Sequence, residues 1–431
     1  VLRALAIDFN SYFASVEQQD RPELRGQPLI VVPVLAETTG SIAVSIEAKQ
    51  FGLKRNVRVA EARQLCPGLI VVEARPELYI QYHRQLKEIV ETLVPVKKVQ
   101  SIDELECELS GDLAQPARAL QLAEEIRQKI YRHAGRCLRC SIGIGPNWFI
   151  AKLASDLQKP DGLVLFDEAD LPGKILHIKL GEFTGIGENM EQRLRAAGIT
   201  GVGELYAASS ARLRAVWGSV EGARFHDWLH GGLQEREPVR HRTIGHSHVL
   251  PPEKRNAPAA LAVLHRLLQK AAMRLRHEGL YAGSLGVSVS YRDGTDWSTD
   301  LRFNETQDTL HFTHVLNELW SRRPKAHQAM APKSVGVILH QLLVSTLHTG
   351  DLFEGKKEET RSRLLGAVDT LNQTFGKNSV YFGGAHGATA YAPMRIAFTR
   401  IPDPEVEEID AQRGRRLRPQ KPAPPPPDSE E

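Results

Sequence analysis

Residues 2–17, LRALAIDFNSYFASVE, change character at Asp8. Residues 2–8 form a short apolar run of the kind that makes a buried strand, and residues 10–19 carry helical spacing. A strand that ends on an acid and turns directly into a helix places a carboxylate at the edge of a sheet. Further β-branched runs lie at 28–33 and 69–73, with short helical pieces at 46–51 and 59–65 between them. An amphipathic helix is predicted over 77–93. A hairpin follows, with strands at 96–101 and 105–109 and a turn at Ile102–Glu104. A long helix at 115–134, a strand at 137–145 and a helix at 147–157 complete this part. Strands that neighbour one another, rather than alternating strictly with helices, predict an α+β domain.

Beyond it, residues 166–235 read as purely helical, with Gly185-Ile186-Gly187 in a tight turn. Such a turn exposes backbone amides that suit a phosphate, though a plain helix–helix turn uses the same residues. Residues 236–246 (EREPVRHRTIG) are charged, contain Pro238 and show no apolar period, so a linker is expected. Residues 247–345 read strand, helix (257–278), strand (283–291), strand (297–303), helix (308–321), strand (333–344): two β-α-β halves of a compact α+β unit. One more helix is expected at 358–376. The proline-rich, mixed-charge tail at 400–431 reads as disordered.

The chain has 431 residues, 42% hydrophobic and 25% charged. At roughly 150 residues per domain this suggests about three domains with their own cores. No apolar run reaches the roughly 18 residues of a membrane span, and residues 1–8 do not resemble a signal peptide. Four cysteines in so long a chain fit a reducing, cytosolic compartment. Cys137 and Cys140 form a CxxC with no second pair, and along a strand they would face opposite ways, so a metal there is not expected. The net charge is +3, unevenly spread: −1 over residues 1–240, +7 over 241–400 and −3 over 401–431. A basic C-terminal unit permits a nucleic-acid partner, and equally an ordinary solvated surface.

Three carboxylates stand out: Asp8 at a strand end, and the adjacent Asp103 and Glu104 at the hairpin turn. Neighbours in a straight strand face opposite ways, but at a tight turn both can reach one point. Convergence of the three would make an oxygen-rich site for hard cations such as Mg²⁺. Taken singly, each acid could as well be a solvated turn residue.

The segment Ile7-Asp8-Phe9-Asn10-Ser11-Tyr12-Phe13-Ala14-Ser15-Val16-Glu17 resembles the first motif of Y-family (translesion) DNA polymerases. Ser101-Ile102-Asp103-Glu104 is similar to that family's second carboxylate motif, and residues 141–162 (SIGIGPNWFIAKLASDLQKPDG) to its third signature. The resemblance spans roughly residues 1–400. It implies a right-hand architecture: palm at 1–13 and 76–165, small fingers at 14–75, helical thumb at 166–235, linker at 236–246, little finger at 247–345 and a C-terminal extension at 346–399.

The resemblance also implies roles. Asp8 and Asp103 would bridge two Mg²⁺ ions, with Mn²⁺ as an alternative. Glu104 would help hold the catalytic ion, and the carbonyl of Phe9 would add a ligand. Phe13 would be the steric gate that excludes a 2′-hydroxyl, whereas without the motif it reads as a core aromatic. Tyr12 would lie beside the triphosphate and Lys159 would reach it. Gly185 and Gly187 would grip the DNA backbone in a helix-hairpin-helix element. Ile46-Glu47-Ala48-Lys49 departs from the Tyr-Glu-Ala-Arg of many relatives. Ile46 cannot donate a hydrogen bond, and Lys49 keeps the charge but not the two-pronged geometry of arginine. Lys54 and Arg55 are candidates to compensate.

The layout after residue 345 is similar to that of the catalytic subunit of bacterial DNA polymerase V. There Leu352 and Phe353 would anchor a sliding-clamp peptide in which Thr349 replaces the usual glutamine. The implied partners are primer–template DNA, a dNTP and the clamp, with a recombinase filament or activator subunit as further candidates. The implied location is the bacterial cytoplasm, at the nucleoid. The competing reading is a non-catalytic accessory mutagenesis subunit that binds DNA and clamp; Ile46 and Lys49 lean toward it, the three retained acids against it.

Overall fold

The computed structural model describes residues 1–233, 242–349, 355–376 and 378–389. They divide into two compact units, one within residues 1–237 and one within 238–395.

In the first unit, β1 (Ala4–Phe9) is buried along its whole length and lies at the centre of a five-stranded sheet. After it the chain turns at Ser11, a non-glycine residue at φ 51°, into α1 (Tyr12–Asp20). A small second sheet holds β2 (Leu29–Val32), antiparallel to β3 (Ala43–Val44). α2 (Ile46–Lys49) and α3 (Val59–Leu65) follow, then β4 (Ile70–Glu73), parallel to β2. Their apolar faces close on Ile30, Val32, Val44, Leu53 and Val59. α4 (Pro76–Glu91) leads to β5 (Val96–Ser101) and β6 (Glu104–Glu108). α5 (Pro116–His133), β7 (Cys140–Gly145), α6 (Trp148–Leu157) and β8 (Leu163–Leu165) complete the large sheet, in the order β5-β6-β1-β7-β8.

The hairpin turn is one residue tighter than expected. Ile102 and Asp103 form it, and Glu104 already belongs to β6, opposite Asp8 in the antiparallel register. The expected strand at 137–145 starts only at Cys140, because residues 136–137 are in a turn. All four cysteines are free thiols.

Helix α6 presses on the sheet where Gly143 sits. A Cβ there would lie 1.9 Å from the Ala151 carbonyl oxygen and 2.4 Å from the Ser155 amide. Only glycine lets the helix come so close, and that closeness brings the α6 side chains to the end of β1. The other side of α6 joins the core of the helical segment 166–233. That segment contains α7 (Glu188–Ala196), α8 (Val202–Ala207), α9 (Ser210–Trp217) and α10 (Glu221–Leu229), as its all-helical pattern predicts. Asn147 caps α6 at the Ile150 amide and donates to the carbonyls of Trp228 and Gly232, both at 2.8 Å.

The second unit is a four-stranded antiparallel sheet in the order β11-β10-β12-β9. It is built as β9 (Thr243–Val249), α11 (Ala257–His277), β10 (Leu280–Tyr291), β11 (Asp296–Thr306), α12 (Thr309–Ser321), a short α13 (Lys325–Gln328) and β12 (Pro332–Val344). Its core lies between the sheet and α11 and α12. A last helix, α14 (Gly355–Phe375), is tied to the unit by Arg276–Asp369 at 2.6 Å and Arg361–Asp308 at 2.9 Å.

The linker expected at 236–246 is corrected here. Thr243–His246 belong to β9, which pairs with β12 from Thr243↔His340 to Val249↔Ser334. The inward side chains of β9 are Ile244, His246 and His248, and two histidines hide the alternation that marks a strand. The tail at 400–431 and the candidate clamp anchors Leu352 and Phe353 lie outside the described residues.

Candidate active site

The register of β1 with its neighbours builds the site. Asp8 stands opposite Glu104 on β6 and opposite Ser141 on β7. Directly opposed residues of an antiparallel pair share a face, so the two carboxylates point the same way. The Phe9 amide donates to the Asp103 carbonyl at 2.9 Å, which holds the hairpin turn against the end of β1. His83 of α4 steadies the same turn through a 2.8 Å hydrogen bond between its Nδ1 and the Ile102 carbonyl.

One cation joins two of these acids to a third. Lys152 Nζ lies 2.5 Å from Asp8, 3.0 Å from Glu104 and 2.9 Å from Asp156. Lys159 Nζ adds contacts of 2.7 Å to Asp8 and 2.7 Å to Asp156. The Asp103 side chain instead meets the Ser101 hydroxyl at 2.5 Å. Burial pushes the Asp103 carboxyl above its ordinary value, the Ser101 hydrogen bond opposes this, and the Asp8 charge adds to the rise. Burial also raises Glu104, against the pull of Lys152.

As the side chains stand, the described residues contain no group of three or more His, Cys, Asp or Glu placed to hold a metal ion. The donor set nevertheless fits hard cations. Asp8 and Glu104 close on a positive charge, which the Lys152 ammonium now supplies. Asp103, half-buried beside Asp8, has its pKa raised by desolvation and by the Asp8 charge, the condition a cation relieves.

Of the other expected residues, Lys49 and Tyr12 lie near the same acids. Lys49 feels both Lys159 and Asp8. Burial lowers its pKa first and the neighbouring Lys159 charge second. Tyr12 is buried, and its hydroxyl donates to the Tyr79 carbonyl at 2.6 Å, so its phenol is already committed. What it offers the site is a backbone amide in the first turn of α1, where helix amides have no internal acceptor. The Ser11 hydroxyl beside it is buried with no partner. Phe13 is only 1% exposed and stacks on Tyr79, with ring centroids 4.5 Å apart and an interplanar angle of 15°. It is therefore a wall rather than a free side chain.

Gly185, at φ 94°, and Gly187, the N-cap of α7, lie in the helical segment in an exposed turn with open space around both. The first turn of α7 also carries Glu188 and Glu191.

Three site residues escaped the motif reading. Lys152 is a lone charge in the apolar run WFIAKL, which was the signal for it, and Asp156 follows one turn later. Asn10 is buried and binds Ser141 through both ends of its amide. Its Oδ1 also accepts from the Asp161 amide at 2.9 Å, pinning the loop that carries Lys159.

Asp8 and Glu104 side by side, with Lys152 and Lys159 beside them on an α+β scaffold, make a charged site of the kind that suits phosphate chemistry. Residues 7–156 match the impB/mucB/samB family, and residues 241–352 match its C-terminal domain. The chain is 32% identical to DNA polymerase IV of Moorella thermoacetica over 88% of its own length and 94% of the relative's. It is 33% identical to DNA polymerase IV of Pelotomaculum thermopropionicum over 87% and 93%. Among solved structures it is similar to a Y-family DNA polymerase chimera, Dbh-Dpo4(243-245)-Dbh. That likeness has a TM-score of 0.67 and 21% identity over 79% of this chain and 99% of that one. An insertion ternary complex of Dbh DNA polymerase is similar at a TM-score of 0.53 and 22% identity over the same shares. The chain belongs to the impB/mucB/samB family and is a Y-family DNA polymerase. These relatives carry the name DNA polymerase IV and are matched over nearly their whole length, so the length of the chain beyond β12 is not a mark of polymerase V.

Proposed function

We propose that the chain performs low-fidelity translesion synthesis at the centre formed by Asp8, Asp103 and Glu104. The observation that carries this reading is the antiparallel register that sets Asp8 and Glu104 side by side, with Asp103 in the adjoining turn. Asp8, Asp103 and Glu104, with the Phe9 carbonyl, would hold two Mg²⁺ or Mn²⁺ ions. Bound there, such ions would supply charge stabilisation when a primer 3′-hydroxyl attacks the α-phosphate of a dNTP and pyrophosphate leaves. Everything else is positioning. The backbone amides in the first turn of α1 and the cations Lys49 and Lys159 receive the triphosphate. Lys152 neutralises Asp8 and Glu104 until the nucleotide arrives. Phe13 walls off the sugar's 2′ side.

The palm comprises residues 1–13 and 76–165, the fingers 14–75, the thumb 166–235 and the little finger the second unit, starting with β9. Gly185 and Gly187 present backbone amides to the DNA backbone, although Glu188 and Glu191 weaken that end of α7 for an anion. The +7 charge of residues 241–400 supports salt-dependent duplex binding. Leu352 and Phe353 serve as clamp anchors, and a recombinase filament or activator subunit remains a further partner of this reading.

Fingers this small, with Lys49 in place of a bidentate arginine, hold the nascent pair loosely. Single-nucleotide insertion of all four dNTPs opposite each template base tests this. The expected result is misinsertion at roughly one in a thousand or more frequent, the level that about 4 kcal/mol of discrimination gives. Discrimination better than about one in a million would exclude a low-fidelity enzyme.

A further inference from the structure

A fully buried carboxylate lies one helical turn beyond Phe13 on α1. Glu17 is 0% exposed, and its two oxygens collect an unusual number of donors. The Tyr79 hydroxyl donates to it at 2.7 Å. Arg75 Nε reaches both oxygens, at 3.0 and 3.1 Å, and a terminal nitrogen of Arg75 lies 2.5 Å from one of them. Arg21 binds the same carboxylate from the next turn of the chain. Arg75 is held in turn by Asp20 at 2.7 Å.

Burying such a cluster costs desolvation that apolar side chains of similar volume would avoid. What ions and hydrogen bonds add is a fixed geometry, and here the fixed object is Tyr79. Its backbone carbonyl accepts from Tyr12, its hydroxyl is anchored on Glu17, and its ring lies flat against Phe13. A wall that excludes a hydroxyl by contact works only if it cannot retreat by a few tenths of an ångström. Phe13 has Tyr79 at its back, and Tyr79 has Glu17 at its far end.

We infer that Glu17 is a positioning residue for sugar selection: its carboxylate, held by Arg75 and Arg21, locks Tyr79 so that the Phe13 ring cannot yield to a 2′-hydroxyl. This rests on the reading of Phe13 as the sugar wall. Neither Glu17 nor Tyr79 touches the reacting atoms.

The test is the ratio of kcat/KM for dCTP to that for CTP opposite template guanine, in the wild-type protein and in Phe13→Ala, Glu17→Gln and Tyr79→Phe. A merely structural defect lowers the active fraction and scales both nucleotides alike, leaving the ratio unchanged. Tyr79→Phe keeps the ring and loses only the anchoring hydroxyl, so it reports even if Glu17→Gln folds poorly. The inference predicts collapse of the ratio in Phe13→Ala. It also predicts a fall of about ten- to a hundredfold in Glu17→Gln and Tyr79→Phe, the scale of one hydrogen bond to a charged group, carried by faster ribonucleotide insertion. A wild-type ratio in both positioning variants beside a collapsed Phe13→Ala overturns the inference alone. A wild-type ratio in Phe13→Ala overturns the sugar wall, and the inference with it.

Discussion

Lys152 is the residue on which the electrostatics of the site turn. It is 10% exposed in its side chain and touches Asp8, Glu104 and Asp156 at 2.5–3.0 Å. Those acids hold its proton firmly, against the opposing effect of burial. Removing one partner from a buried ion cluster leaves charge uncompensated and typically costs about 3 kcal/mol. Lys152→Ala is therefore expected to lose about that much stability when denaturant melts are run in a chelator. Added Mg²⁺ should restore part of the loss, because a divalent ion takes over the acids. Equal stability of the variant and the wild-type protein in chelator would show that the acids do not need the lysine. At this scale the motifs made the acids and Lys159 legible. They did not reveal Lys152, Asp156 or Asn10, whose roles depend on which face of α6 meets β1 and on a loop folded back over 151 positions of sequence.

Elements built from β-branched runs and amphipathic helices appeared where the pattern put them, usually within a residue or two. β3 and β8 have no counterpart in the pattern, and β9 reads largely as linker. Its inward side chains are Ile244, His246 and His248, and histidine scores as polar although here it packs beneath α11. The burial of its histidines has a measurable consequence. Burial, then the charges of Lys270, Arg274 and Arg266, lowers the His246 pKa from 6.5 to about 3, and its Nε2 is buried without a partner. Between pH 6.5 and about 3 the unfolded chain binds a proton at this position that the folded chain refuses. Stability from this residue is therefore complete above pH 6.5 and falls as the pH drops, by up to about 1.4 kcal/mol per pH unit. Urea melts at pH 7.5 and pH 5.0 should show this loss in the wild-type chain and a smaller one in His246→Gln. The same loss in both proteins would place the sensitivity elsewhere. The tight hairpin turn was less legible for another reason. Whether Glu104 ends a turn or begins a strand depends on pairing with β1, a contact about 96 positions away in sequence.

The whole molecule joins a mixed α+β unit holding the acids to a basic unit with its own sheet and core. Among the described residues no helix is long and apolar enough to cross a membrane. The architecture was legible because three motifs stand in order along the first unit, and the second announced itself by two β-α-β halves. The division of the first unit into palm, fingers and thumb rests on resemblance, since by contacts alone its sheets and helices form one body. In the proposed function Asp8, Asp103 and Glu104 form one metal-holding catalytic centre. The most direct measurement is single-turnover insertion of one correct dNTP into a primer–template by the wild-type protein and by Asp103→Ala, with Mg²⁺, after both are shown to bind the duplex equally. Mg²⁺-dependent extension by the wild-type protein is expected, with a fall of about a thousandfold or more in the variant, the scale of losing a main electrostatic stabiliser of the transition state. Extension by Asp103→Ala within about tenfold of wild type, well short of that scale, would contradict it.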